Sequence, residues 1–205
     1  MADWITRTVE TLGYFGIGFL MFLENLFPPI PSELIMPLAG FAASRPNSDI
    51  EFVPAVMVGV VGTVLGALPW YYAGMFLGEK RLMGLADRYG KWFTISSRDI
   101  EKAIAWFNQY GGAAVFLCRL VPGVRTLISL PAGLSRMNIG IFLLYSTLGT
   151  VIWTCLLASA GYLLGNNYAL VEKYLGPVSK IVLLGLLVMF GIWVWQRRRQ
   201  RLRSR

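Results

Sequence analysis

The chain has 205 residues, of which 56% are hydrophobic and only 15% charged, with a mean hydropathy of +0.57 and a net charge of +8. A water-soluble domain has about a quarter of its residues charged, so this composition excludes an ordinary soluble domain and points to lipid as the solvent. The sequence contains no histidine, which removes Ser-His and Cys-His nucleophilic catalysis and phosphohistidine chemistry.

The remaining exclusions are chemical. Cys118 and Cys155 each lie inside an apolar run, as small buried hydrophobes do, and imply no disulfide framework. No Cys or His cluster exists to hold a metal, and no cofactor is expected. No glycine-rich loop ends in Lys-Ser or Lys-Thr, so ATP-driven transport by this chain is not expected. The basic charge is concentrated, with six arginines between Arg197 and Arg205. A basic cluster directly after an apolar helix indicates a cytoplasmic tail, or contact with anionic lipid, and not a nucleic-acid surface. Asp3 and Glu10 against Arg7 alone do not make a cleaved signal.

In chain order, residues 12–43 are apolar but broken by Pro28, Pro29 and Pro31, with Glu24 and Glu33 on either side. Residues 52–77 form a span carrying Gly59, Gly62, Gly66 and Pro69. Residues 79–110 are charged, and Ile100, Ala103, Ile104 and Phe107 predict an amphipathic helix ending at Gly111-Gly112. It either lies on the membrane surface or packs on the rest of the protein. Residues 111–136 are apolar, broken at Pro122-Gly123, with Arg119 and Arg125 on either side. Residues 138–164 and 178–195 are further spans, and 196–205 form the basic tail.

A helix needs about 20 residues to cross the hydrocarbon core. Each half of 12–43 and of 111–136 has roughly ten to sixteen, about 15–24 Å of helix. Proline forces the break, so each segment is predicted to be a re-entrant hairpin, with its irregular backbone kept away from lipid. The positive-inside rule places the tail and residues 79–110 in the cytoplasm. The first hairpin then enters from outside and the second from the cytoplasm. Pro37-Leu38-Ala39-Gly40 after Glu33 is echoed by Leu130-Pro131-Ala132-Gly133 after Arg125, the pattern of an inverted repeat of broken helices. The expected fold is a single all-α integral membrane domain. It has two oppositely oriented re-entrant hairpins, three full transmembrane helices and amphipathic interfacial helices. Its glycine-rich spans permit a homodimer.

Ionisable groups inside a bilayer demand a partner or a wet site. One hairpin supplies two acids, Glu24 and Glu33, and the other two bases, Arg119 and Arg125. The planar fork of arginine matches phosphate, so Arg119 and Arg125 are the candidate phosphate ligands. Glu24 and Glu33 are candidates to carry a proton or to compete for the arginines. The alternative is that the four charges only pair and staple the hairpins. Asn25 and Ser32 are secondary candidates for a head group or for satisfying broken backbone. Arg136 is expected at the interface, snorkelling first and gating second.

The stretch Glu24-Asn25-Leu26-Phe27-Pro28-Pro29-Ile30-Pro31-Ser32-Glu33 resembles the DedA family, whose fold is also called the VTT or SNARE-associated Golgi domain. Phe116-Leu117-Cys118-Arg119-Leu120-Val121-Pro122-Gly123-Val124-Arg125, Pro131-Ala132-Gly133 and Met137 carry the same resemblance, which covers nearly the whole chain. It implies a multi-pass protein of the bacterial plasma (inner) membrane that translocates lipid and is not an enzyme. Family members recycle undecaprenyl phosphate to the cytoplasmic leaflet or move phosphatidylethanolamine, and are linked to proton-motive force and envelope stress. The resemblance assigns the family's essential acids to Glu24 and Glu33 and its essential arginines to Arg119 and Arg125. The short proline-rich gap between the acids departs from members with a longer gap and a second acid that is aspartate. The implied partners are a membrane lipid with a phosphate head group, and protons. Rival readings are a phosphatidylethanolamine translocase, a proton-coupled exporter of small solutes and a non-transporting scaffold.

Overall fold

A computed structural model describes residues 2–26, 32–46, 48–93, 97–121 and 124–164. The expected span 178–195, the tail 196–205, and the breakers Pro28, Pro29, Pro31, Pro122 and Gly123 lie outside the described residues. The described regular structure is helical: α1 (Ala2–Leu26), α2 (Ser32–Ala43), α3 (Phe52–Phe93), α4 (Ser97–Arg119), α5 (Ser129–Leu134) and α6 (Ile139–Leu164).

Two stretches, Phe52–Glu79 of α3 and Ile139–Leu163 of α6, are long and apolar enough to cross a membrane. They run antiparallel, because Phe52 meets Tyr162 edge-on and Tyr71 stacks on Phe142 with ring centroids 4.8 Å apart. Val53, Met57, Val61 and Leu65 form an exposed apolar stripe on α3, and Leu144, Leu148, Ile152 and Leu156 form one on α6. Four-residue spacing puts each set on one helix face. The same helices bury Thr63, Ser146, Thr150 and Thr154. Apolar residues outside and hydroxyls inside suit lipid as the surrounding solvent.

The short helices start and stop where the sequence breaks. The apolar part of α1 is Thr11–Leu26, and Gly13 (φ 53, ψ −129) kinks it from the segment before. Only glycine adopts that backbone cheaply. In α2, Pro37 lies inside the helix, and its missing N–H frees the carbonyl of Glu33 four residues back. Gly78 (φ 65, ψ 160) breaks α3 at the end of its apolar stretch.

Two expectations need correction. The amphipathic helix does not end at Gly111-Gly112, because α4 continues to Arg119. Side chains there would meet the rings of Phe107 and Tyr145, so the glycines serve packing and do not terminate the helix. The second half of the 111–136 segment is also shorter than the ten to sixteen residues expected. After turns across 124–128, α5 has six residues.

The sequence echo has a structural counterpart. A Cβ at Gly40 would overlap the Ala158 carbonyl oxygen, and one at Gly161 the Pro37 carbonyl oxygen. Likewise a Cβ at Gly133 would overlap the Tyr71 carbonyl oxygen, and one at Gly74 the Leu130 carbonyl oxygen. Pro37 therefore corresponds to Leu130, Gly40 to Gly133, and Ala158–Gly161 to Tyr71–Gly74. Each short helix after a break packs backbone to backbone on the long helix of the other half, through small residues that permit the approach.

Candidate functional site

The end of α1 is fixed against α3. Asn25 Nδ2 donates to the Thr63 carbonyl at 2.8 Å, and Trp70 Nε1 donates to the Asn25 carbonyl at 3.1 Å. Thr63 is near the middle of the Phe52–Glu79 stretch, so Glu24 is held at mid-helix depth. Glu33 occupies the first turn of α2 and Arg119 the last turn of α4. Both positions complement the helix dipole.

Three of the four charges meet directly. The Arg125 guanidinium donates to Glu24 Oε1 and lies 3.6 Å from Glu33 Oε1. It also sits 5.8 Å from the ring centroid of Trp153. Glu24, Glu33 and Arg125 are all buried. One arginine therefore serves both acids, across a sequence separation of 101 residues to Glu24.

Arg119 is different. It is 1% exposed and makes no ion pair among the described residues. Its Nη2 donates to Ser129 Oγ and Ser146 Oγ, each at 3.2 Å, and Phe142 lies under it with the ring centroid at 5.9 Å. Nε and Nη1 are buried and lack a hydrogen-bond partner. Desolvating a charged group without full compensation costs several kcal/mol, roughly, so such a group is a candidate for ligand contact. The other unpartnered buried polar atoms among the described residues are Glu24 Oε2, Asn25 Oδ1, Thr150 Oγ1 and Trp153 Nε1. Glu24 belongs to the charged cluster, Asn25 follows it in α1, Trp153 lies against Arg125, and Thr150 precedes Trp153 by one turn of α6.

The structure thus brings together Glu24, Glu33 and Arg125, with Asn25 next to Glu24 on α1. The side chain of Ser32 lies outside the described residues. Arg136 is not in the cluster. It is exposed, in the left-handed region at φ 51, and lines a cleft of about 660 Å³ with Tyr110, Asn138 and Tyr145. A second cleft, of about 1110 Å³, lies by the Gly13 kink and the α2–α3 turn and is lined by Tyr14, Phe41, Arg45 and Asp49. Sequence reasoning missed Ser129, Ser146, Thr150 and Trp153. A signal existed: Ser146, Thr150 and Thr154 recur every four residues in an otherwise apolar helix, which marks one polar face.

Two apolar crossing helices with lipid-suited outer faces, enclosing a buried charge cluster, define a helical membrane protein. A family model described as the VTT domain matches residues 28–163. The chain is 38% identical over 202 residues to an "alkaline phosphatase-like protein" of Lactococcus lactis, covering 97% of this chain and 94% of that one. It is 34% identical over 188 residues to undecaprenyl phosphate transporter A of Staphylococcus aureus, covering 92% of each. It is 28% identical over 179 residues to the protein DedA of Escherichia coli, covering 86% of this chain and 77% of that one. The chain belongs to the DedA family of VTT-domain membrane proteins. No solved structure matches it.

Proposed function

We propose that this chain is a transbilayer lipid transporter that carries a lipid phosphate across a bacterial plasma membrane, with undecaprenyl phosphate as the favoured cargo. The observation that carries this reading is Arg119, a buried guanidinium with no carboxylate partner among the described residues and with Nε and Nη1 unpartnered. Charge-assisted bonds from arginine to phosphate are short and strong, and burial strengthens them further. The name of the Staphylococcus aureus relative supports the cargo class.

In this reading Arg119 and Arg125 hold the head group near mid-membrane. Before lipid binds, Glu24 and Glu33 hold Arg125. The phosphate competes with them for that arginine. Proton uptake by Glu24 and Glu33 then offsets the negative charge that the head group brings, which links transport to proton-motive force. The α1–α2 and α4–α5 pairs enter the bilayer as opposed re-entrant hairpins. The basic tail stays cytoplasmic. The protein is not a hydrolase in this reading. The chain has no histidine to act as a base, and Ser129 and Ser146 accept from Arg119 rather than facing one.

A second cargo is favoured by one observation. Glu24 Oε2 and Asn25 Oδ1 are buried acceptors without a donor, and they suit the ammonium of phosphatidylethanolamine. The test is flipping in proteoliposomes under an imposed pH gradient, with the wild type beside Arg119→Ala and Glu24→Gln. Flipping of polyprenyl phosphate that both substitutions abolish is expected. Movement of phosphatidylethanolamine alone changes the cargo, and movement of neither lipid by folded protein overturns the transporter.

A further inference from the structure

The two arginines meet α6 at different levels. Arg119 is at the level of Ser146 and Gly149. Ser146 Oγ accepts from its guanidinium, and a Cβ at Gly149 would come 2.7 Å from the Arg119 Cβ. Arg125 is at the level of Trp153. Ser146 and Trp153 are seven residues apart, about 10 Å along the helix and on nearly the same face. Thr150 falls midway between them on that face.

Thr150 also departs from its neighbours. A buried threonine in a helix normally satisfies its hydroxyl on the carbonyl four residues back. Thr154 does so on the Thr150 carbonyl at 2.8 Å, and Thr63 does so on the Gly59 carbonyl at 3.0 Å. Thr63 is the counterpart of Thr150 in the other half of the molecule, by the same offset that relates Tyr71 to Ala158. Thr150 is 3% exposed, yet its Oγ1 has no partner. Trp153 Nε1, one turn further on, is buried and unpartnered as well. A structural role would leave neither atom unsatisfied, because an unmade buried hydrogen bond costs about 1–3 kcal/mol.

We infer that the Thr150 hydroxyl and the Trp153 indole N–H complete the phosphate site, each donating to a head-group oxygen held between Arg119 and Arg125. The inference rests on the lipid-phosphate reading above and adds two ligands to it. Arg119 keeps Nε and Nη1 free to donate, while Ser129 and Ser146 fix its orientation through Nη2. Trp153 thus has two tasks: its ring lies against Arg125 and its N–H meets the phosphate. A monoester with several free oxygens suits four donor groups better than a diester does.

The test uses the full chain in detergent with 15N-labelled tryptophan indoles. The Trp153 resonance is the one lost in Trp153→Phe, a change that keeps an aromatic ring beside Arg125. Farnesyl phosphate is titrated, with farnesol and inorganic phosphate as controls. Farnesyl phosphate is expected to shift the Trp153 resonance saturably, and farnesol is not. Thr150→Val should weaken binding about tenfold, the scale of one lost hydrogen bond to a charged group. Thr150→Ser should restore it. Arg119-dependent binding that leaves the Trp153 resonance unmoved, with Thr150→Val binding like wild type, overturns the inference alone. No binding of farnesyl phosphate by folded wild type overturns the lipid-phosphate reading and the inference together. A response to inorganic phosphate equal to that of the lipid keeps the four donors and overturns the lipid as their ligand.

Discussion

Replacing Arg125 by leucine should be the most damaging single change to the charged cluster, and its size follows from what the change leaves behind. Arg125 pairs with Glu24 and lies 3.6 Å from Glu33, with 6% of its side chain exposed against 4% and 7% for the two acids. At an effective dielectric constant of about 20, the Arg125–Glu33 attraction alone is roughly 5 kcal/mol before desolvation is counted. Desolvation cancels much of that, so the pair as a whole adds little net stability. Removing one partner is another matter, because two buried carboxylates then face each other without a cation. The expected loss is about 3–5 kcal/mol. Glu24→Gln should cost only about 1–2 kcal/mol, since the amide oxygen still accepts from Arg125 and Glu33 still pairs with it. Adding Glu24→Gln and Glu33→Gln to Arg125→Leu should therefore recover most of the stability. The assay is equilibrium unfolding of the purified protein in mixed micelles, read as a double-mutant cycle. Strictly additive effects, or an Arg125→Leu protein as stable as wild type, would refute the placement of these charges.

Other predictions address the frame that holds the site. Gly133→Ala and Gly40→Ala should each cost about 1–3 kcal/mol, because the new Cβ overlaps backbone of the facing helix; thermal unfolding checks whether the two costs are alike, as the repeated packing requires. Gly13→Ala should cost about 1–3 kcal/mol in the same measurement, since the Cβ meets open space and the penalty is the backbone conformation at φ 53 and ψ −129 alone. Asn25→Leu should cost about 0.5–1.5 kcal/mol by removing the buried hydrogen bond from Asn25 Nδ2 to the Thr63 carbonyl, and cysteine accessibility at position 24 should rise as the end of α1 loosens.

Much of this arrangement was readable from residue order, for identifiable reasons. Charges in an apolar segment have so few options that the two acids and the two arginines, on different broken segments, were expected either to pair or to compete for a ligand, without residue order saying which arginine meets which acid. The Pro37–Gly40 and Leu130–Gly133 echo was readable because close backbone packing demands a small residue at a fixed offset. Three features were not readable. Gly111-Gly112 looks like a helix end, and only the rings of Phe107 and Tyr145 show why glycine is needed within α4. The division of labour between the arginines, with Arg125 paired to both acids and Arg119 to neither, depends on contacts between distant segments. The brevity of α5 depends on the turns before it. The polar face of α6 was missed although its four-residue spacing was in plain view, because hydroxyls in an apolar helix ordinarily bond their own backbone, and the sequence does not mark Thr150 as the exception.

The central claim is that a buried guanidinium holds a lipid phosphate, and Arg119→Lys in the flipping assay tests it most directly. Lysine keeps the charge but replaces the planar fork by a point donor. The account predicts that polyprenyl phosphate flipping falls at least tenfold while the protein remains folded and embedded. The predicted cause is that Nε and Nη1 are gone and the contacts to Ser129 and Ser146 no longer set the geometry. Flipping by Arg119→Lys at the wild-type rate would contradict the account, leaving Arg119 a buried charge with no part in recognising phosphate.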